Sequence, residues 1–516
     1  MYKRLVVLGL TLALAACSQT PMPSTMTPPS GRLQASQVAS QPQDLGTLGG
    51  PSSVAYGIND AGSVVGSSQT ASRKNRAVLW TPRSGMTDLG TLGGSFAVAK
   101  DINNLGHVVG YSQTSSGAVH PFLWTPEAGM RDLGTLGGDY AEATAVDDYD
   151  QVVGWSRLQP NNLKERGFFW YAPNGMRDLG ILGNRTAFYD GSRANGLNNL
   201  GFIVGTSSSP ERDSQAAYWL TGTPDRVGLG QVSGAYYSQG TAINNRQQIV
   251  GFSLGTEFSE TRGFLWRPAT GPVNLPSSFW QPNAISDDGV IVGVGAPYGA
   301  VYWTATSGLQ VLPTNNTFAF VNGVNNNRQV VGSVVFPGSG TGTEGGSNQR
   351  AALWTLPEES FESLFDDNAR PANEAAQDPN AVELGVRFHA HSAGKVVGIR
   401  YFLGTQTGAA IDSVNLWDDD GQLIASAKVD FQRSGEWQRV DFAVPVDLEP
   451  DRTYTASYHT NGYYPFNDYF YTAPVTRGTL EAKGDAGVYK YGTTSNFPDE
   501  TYRASNYWVD VVFQPN

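Results

Sequence analysis

The sequence predicts an all-β protein, a seven-bladed β-propeller followed by a jelly-roll-like β-sandwich. Three observations carry this. A phrase close to "DLGTLGG, small polar residues, INNxGxVVGxS, xFLW, GM" is written seven times. Nothing within those repeats has helical periodicity, since apolar residues alternate or are β-branched and aromatic and the breaks carry Asn, Asp, Gly and Pro. Beyond the repeats, an acidic linker gives way to about eight alternating segments that share no repeat.

The N-terminus comes first. Lys3 and Arg4 precede an apolar run from Leu5 to Ala16, the length of a signal-peptide core and too short to span a bilayer. The run ends Leu14-Ala15-Ala16-Cys17, which resembles the lipobox of bacterial lipoproteins. That resemblance implies cleavage after residue 16, lipidation of Cys17, and a membrane partner held through its acyl chains. Cys17 is the only cysteine, so neither an intramolecular disulfide nor a multi-thiolate metal site accounts for it. Ser18 follows, so the aspartate that would retain a lipoprotein at the inner membrane is missing. Residues 17–43, rich in Ser, Thr, Pro and Gln, read as a tether that holds the folded part clear of the membrane.

The repeats occupy 44–356. Their register is marked by Val65-Gly66, Val109-Gly110, Val153-Gly154, Val204-Gly205, Val250-Gly251, Val292-Gly293 and Val331-Gly332, spaced 39 to 51 residues apart. Each mark is followed by a strand ending in tryptophan: Trp80, Trp124, Trp170, Trp219, Trp266, Trp303 and Trp354. Four strands in a period of roughly 40–45 residues suit a propeller blade. The last unit stops at Trp354 without its "DLG" strand, while a spare one begins at Asp44, so the Asp44 strand is expected to complete the last blade and remove an open edge. The tryptophans are expected in the core. The Asn-rich turns, such as Asn103-Asn104-Leu105-Gly106, are expected to be turns, as are Asp147, Asp148 and Asp150 in preference to a calcium site.

This stretch resembles the HAF-repeat family of extracellular bacterial proteins, whose units read much like "HPFLWTPEAGMRDLGTLGG" at His120 to Gly138. The sixth and seventh units depart most, with "VNLPSS" and "LQVLPTN" in place of "DLGTLGG". The resemblance implies secretion and repetition and brings no activity with it.

Residues 357–380 read as a linker and 381–516 as the sandwich. "ELGVRF" at Glu383, "GIRYFLG" at Gly398, "LWDDDGQLIA" at Leu416, "YTASYH" at Tyr454 and "NYWVDVVF" at Asn506 resemble an uncharacterised bacterial β-sandwich domain found beside surface enzymes and adhesion modules. Tyr458, Tyr463, Tyr464, Phe466, Tyr469, Phe470 and Tyr471 crowd one stretch with Asn461, Asn467 and Asp468. Flat rings beside Asn and Asp make Tyr463, Tyr464 and Tyr469 the candidate ligand contacts, against the alternative that the rings pack the sandwich. His389 and His391 share a strand face and His459 lies on another strand, with no spaced ligand motif, so no metal site is assigned. "WDDDGQL" reads as a hairpin turn.

No nucleophile elbow, zinc-protease, phosphate-loop or dinucleotide motif occurs, so neither catalytic residues nor a cofactor are assigned. The net charge of −12 becomes −14 once Lys3 and Arg4 leave, which argues against nucleic acid as a partner. These readings converge on a lipid-anchored extracytoplasmic binding or adhesion protein for a polysaccharide, matrix component or surface protein. The alternatives are a structural envelope scaffold and a glycan hydrolase or lyase with carboxylates at the propeller mouth.

Overall fold

The computed structural model describes residues 38–160, 164–183, 191–210, 214–223, 225–230, 235–255, 261–268, 270–296, 299–314, 317–336, 349–405, 410–429 and 434–516. Cys17 and most of the expected tether lie outside them. The fold is all-β, and no described helix is long and apolar enough to cross a membrane.

Each repeat folds as a four-stranded antiparallel sheet resembling a propeller blade, and there are seven such sheets among the described residues. In the first, Gly49–Ile58 is innermost, followed outward by Val64–Thr70, Asn75–Thr81 and Gly85–Asp88. The last sheet takes Ala319–Val324, Gln329–Val335 and Gln349–Thr355 from the end of the repeats, and its fourth strand is Gln43–Asp44. Gln43 pairs with Leu353 and Asp44 with Ala352, while Asp44 also meets Arg350 at 2.8 Å. The spare "DLG" strand thus closes the last sheet as its position in the sequence indicated.

The repeated phrase has a physical reason at each position. Asp88 Oδ1 accepts from Gly90 N at 2.8 Å, Leu89 is buried, and Leu92 N donates to Ser112 Oγ at 2.9 Å. The glycine of the "VG" mark sits where the inner strand crosses closest: a Cβ on Gly66, Gly110 or Gly332 would collide with the carbonyl oxygen of Val54, Val98 or Phe320. The tryptophans are core. Trp354 and Trp219 are fully buried and Trp80 and Trp170 nearly so, whereas Trp124, Trp266 and Trp303 are half-buried against their clusters. These clusters lie between neighbouring sheets: Val65, Ala77 and Leu89 of the first pack with Ala97, Ile102, Val108, Phe122 and Trp124 of the second.

From Val382 onward two antiparallel sheets share one core. One contains Val382–Ala390, Ile411–Trp417, Leu423–Lys428 and Tyr454–Thr460 with the shorter Val475–Arg477, Leu480–Ala482 and Gly487–Tyr491. The other orders Glu436–Leu448, Gly394–Leu403 and Val509–Pro515. Alternate residues Leu384, Val386 and Phe388 face Ile399, Tyr401, Val511 and Phe513 in this core. Within the expected linker, Leu364 and Phe365 are buried in the same core, because Asp510 accepts both of their backbone N–H groups, at 2.8 and 3.0 Å. Asp510 is in turn paired with Arg400 at 2.9 Å.

Candidate functional site

The Asn-rich turns are turns, as expected: Gly62 N donates to Asn59 O and Gly106 N to Asn103 O, each at 3.0 Å. They do more, because together they line a cavity of about 200 Å³ where all seven sheets meet. Asp60, Asn104, Asp148, Asn199, Asn245, Asp287 and Asn326 form an unbroken ring there. Each backbone N–H donates to the side-chain Oδ1 of the next member at 2.8 to 3.0 Å, and Asn326 returns to Asp60. Just beneath, Asn59, Asn103, Asn198, Asn244 and Asn325 each donate an amide hydrogen to the backbone carbonyl of the equivalent residue in the next sheet, at 2.8 to 3.0 Å.

Two of the seven equivalents interrupt that second ring: Ser286, whose hydroxyl donates to Asp288 instead, and Asp147. Its Oδ1 accepts from Tyr149 N and Gln151 N just as an asparagine there would, but a carboxylate has no hydrogen for the next sheet, and its Oδ2 is buried without a partner. Burial pushes its pKa up to about 6. Nearby Asp101, whose Oδ2 accepts from Val146 N at 3.0 Å, is likewise pushed to about 6 by burial. Asp148 Oδ1 serves Asn104 N, and Asp150 Oδ1 serves His107 Nδ1 and Asn103 Nδ2, so these acids point to separate partners rather than to one cation.

A third ring lies at the waist. Every inner strand slips register by one residue at the same place, which re-aims the extra side chain. The bulged residues are Tyr56, Lys100, Thr144, Asn195, Thr241, Asn283 and Asn322. Five of them bond the backbone carbonyl of the next sheet: Thr144 to Ala194, Asn195 to Gly240, Thr241 to Pro282, Asn283 to Val321 and Asn322 to Ala55, at 2.7 to 2.9 Å. Tyr56 and Lys100 depart from this pattern, and Lys100 Nζ stands 4.2 Å over the centroid of the Tyr56 ring. Burial lowers the Lys100 pKa, opposed by the charge of Glu142, and burial raises that of Tyr56.

Glu142 belongs to an aromatic row on the side from which the inner strands enter. Its Oε1 accepts from Tyr140 OH at 2.5 Å. Tyr140 stacks on Trp155 with centroids 5.3 Å apart, Tyr111 lies 6.5 Å from Tyr140 and Phe96 6.4 Å from Tyr111. Arg193 covers Trp155 at 4.3 Å and Arg157 covers Tyr140 at 5.1 Å. Arg193 is paired with Glu165 at 2.5 Å and Arg157 with Asp139 at 3.5 Å, so an ammonium, three carboxylates, two guanidinium groups and four rings lie across the second to fourth sheets. The sequence alone singles out neither Lys100 nor Glu142. The available signal was the alignment of the seven bulge positions, where five short polar residues make Tyr56 and Lys100 stand out.

The three tyrosines expected to meet ligand have different fates. Tyr464 is half-buried, edge-on to Tyr507 at 5.9 Å, with its hydroxyl on Asp378 at 3.2 Å. Tyr463 is half-buried with φ of 57°. Tyr469 is 62 % exposed, and Arg503 lies between it and the exposed Tyr502, with Asp468 as its ion-pair partner at 3.1 Å. Tyr458 and Tyr471 are fully buried. Asp418 caps the "DDDG" hairpin, and Arg452 contacts all three of its carboxylates.

Residues 368–509 match a domain of unknown function, DUF4082. No curated protein sequence matches the chain. Among solved structures it is similar to a gluconolactonase from Xanthomonas campestris, at 10 % identity over 63 % of this chain and 100 % of the other, with a TM-score of 0.31. It is also similar to an acylaminoacyl peptidase from Pyrococcus horikoshii, at 9 % identity over 54 % of this chain and 49 % of the peptidase, TM-score 0.34, so that it spans about half that protein. A sucrose-6-phosphate hydrolase from Lactobacillus gasseri matches at 11 % identity over 60 % and 87 %, TM-score 0.22. Likenesses of this size carry no activity across.

Proposed function

We propose that this protein is a lipid-anchored extracytoplasmic binding protein that recognises a glycan or an envelope or matrix component. In this reading the seven sheets form a seven-bladed β-propeller, the C-terminal part is a jelly-roll-like sandwich, and Cys17 holds both at the membrane. The observation that carries it is the break in the waist ring at Tyr56 and Lys100. Five equivalent residues bond the next sheet, whereas these two place a cation and a ring beside Glu142 and the Phe96–Tyr111–Tyr140–Trp155 row. Aromatic faces for sugar C–H groups and charges for hydroxyls or carboxylates are the chemistry of carbohydrate recognition. Tyr469 and Tyr502, flanking Arg503, offer a second such surface.

The test is a glycan array, including envelope polysaccharides, probed with the full chain in detergent and with two double variants. Loss of binding in Lys100→Met/Tyr111→Ala places recognition in the ring, and loss in Tyr469→Ala/Tyr502→Ala places it in the sandwich. Saturable binding untouched by both, or no binding at all, overturns the reading. For the anchor, Cys17→Ala should leave the membrane pellet or remain unprocessed; a cleaved variant that stays in the membrane contradicts lipidation.

A second reading, a hydrolase or lyase, is favoured by one observation: Asp60, Asp101, Asp147, Asp148 and Asp287 all line the central mouth. Against it, the ring carboxylates are already engaged by backbone N–H groups. Turnover of a polysaccharide by the full chain, abolished in Asp147→Asn, would establish this second reading; unchanged substrate after prolonged incubation would dismiss it.

A further inference from the structure

In the C-terminal part, strand Val382–Ala390 is met at its end by the short strand Leu480–Ala482, with His389 directly opposite Glu481. His391 lies one residue past the end of that strand, where its backbone N–H donates to Thr479 O at 2.8 Å and its ring meets that of His389. The two imidazoles lie edge to face, 4.8 Å between centroids, and both converge on one oxygen: His389 Nε2 is 3.0 Å and His391 Nε2 3.2 Å from Glu481 Oε2. One donor atom from each of the three residues lies within 4.8 Å of the others. The far nitrogen of His391, Nδ1, is 2.7 Å from Asp451 Oδ1. His389 is buried, Glu481 mostly so, and His391 half-exposed, so the group has a closed side and an open one.

We propose that His389, His391 and Glu481 bind a divalent transition metal of the zinc class, with Asp451 orienting His391 and a fourth position open to solvent. Tetrahedral sites with metal–ligand bonds of about 2.0 Å have ligand–ligand edges of about 3.3 Å, which the 3.0 and 3.2 Å separations approach. Two imidazole nitrogens and one carboxylate suit zinc-class ions and not calcium or magnesium, which take all-oxygen shells. A carboxylate behind a ligating imidazole sets its tautomer and orientation, which is the part Asp451 plays. Burial first and then the like charge of Lys483, two residues beyond Glu481, lower the His389 pKa and so favour the neutral, ligating imidazole. His459 stands apart, occupied by Asp412 at 2.9 Å and the Gly492 carbonyl at 3.0 Å, so the third ligand is Glu481 rather than a third histidine. The bound ion would staple the Val475–Ala482 hairpin, which pairs with the long strand at only His389 and Ala390, to the sheet.

The experiment is calorimetric titration of the chelator-stripped full chain with Zn²⁺, alongside the visible absorption of Co²⁺ in its place. One ion per chain with a tetrahedral cobalt spectrum is expected. His391→Ala and Glu481→Gln should each abolish it, and Asp451→Asn should weaken it by about 10–100-fold. His107→Gln, a ring histidine paired with Asp150, should leave it unchanged. Because Asp451 is largely exposed, its variant keeps the test valid should a ligand variant fail to fold. Absence of saturable Zn²⁺ binding, an octahedral cobalt spectrum, or binding that survives His391→Ala would each overturn the proposal.

Discussion

Asp147 is the residue whose chemistry departs furthest from its equivalents. Five asparagines carry a hydrogen bond from sheet to sheet, and the aspartate in their place leaves Oδ2 buried and unpartnered. Asp147→Asn is therefore expected to stabilise the fold at neutral pH, by about 1 kcal/mol, measured by denaturant unfolding. The pH dependence has a definite sign. Asp101 and Asp147 are raised to about 6 by burial, above the ordinary carboxylate value of about 3.9, so the folded state holds their protons more tightly. The stability they contribute is fully present below about pH 4 and is lost as pH rises through about 6. Thermal unfolding between pH 4.5 and 7 should show this decline, and Asp147→Asn should flatten it; an identical slope in the variant would refute the assignment. From sequence, the Asp147-Asp148-Asp150 cluster reads correctly as a turn. Its unmet hydrogen bond was not legible there, because the partner belongs to the next sheet.

The four-stranded unit is legible in detail, since each signal in the repeat answers a local demand. Alternation sets the faces, Asp-Leu-Gly closes the outer strand, and the "VG" glycine yields to the inner-strand carbonyl. Gly110→Ala should therefore destabilise the fold by about 1–3 kcal/mol even though it adds a single methyl group, because the atom it meets is backbone. The tryptophan slot makes a graded prediction. Trp354→Ala, which removes a fully buried ring bonded to the Pro313 carbonyl at 2.9 Å, should cost about 3–5 kcal/mol, and half-buried Trp124→Ala less. Equal losses in the two variants would mean that burial does not set the energy. The bulge in every inner strand is not legible, because the residue it inserts is short and polar in five sheets but Tyr56 or Lys100 in the other two, with no shared composition signal.

Over the whole molecule, the ring depends on a strand recruited from far away in sequence. Gln43–Asp44 supplies the outer edge of the last sheet, with Leu45 buried behind it and Leu45 N bonded to Ala351 O at 2.9 Å. Removing residues 38–46 should lower the melting temperature and strip hydrogen-exchange protection from amides of 349–355, while strand Asn75–Thr81 of the first sheet, with partners on both sides, keeps its own. Uniform loss of protection around the ring would instead mean that all the sheets unfold as one unit. In the C-terminal part, buried Asp510 ties residues 364–365 to Arg400, so Arg400→Ala should cost about 3–5 kcal/mol by leaving a buried carboxylate unpaired.

Period-two alternation, the turn residues and the sevenfold register of Val-Gly and Trp are local or repeating, so the sequence by itself determined the all-β class, the four-stranded sheets, the core tryptophans and the closing strand. Only the tertiary structure decided which side chains converge. Lys100 and Tyr56, Asp147 and its missing donor, and His389, His391 and Glu481 are brought together by which strand lies beside which and by where a bulge re-aims a side chain. Those relations join residues tens of positions apart, and no periodicity records them.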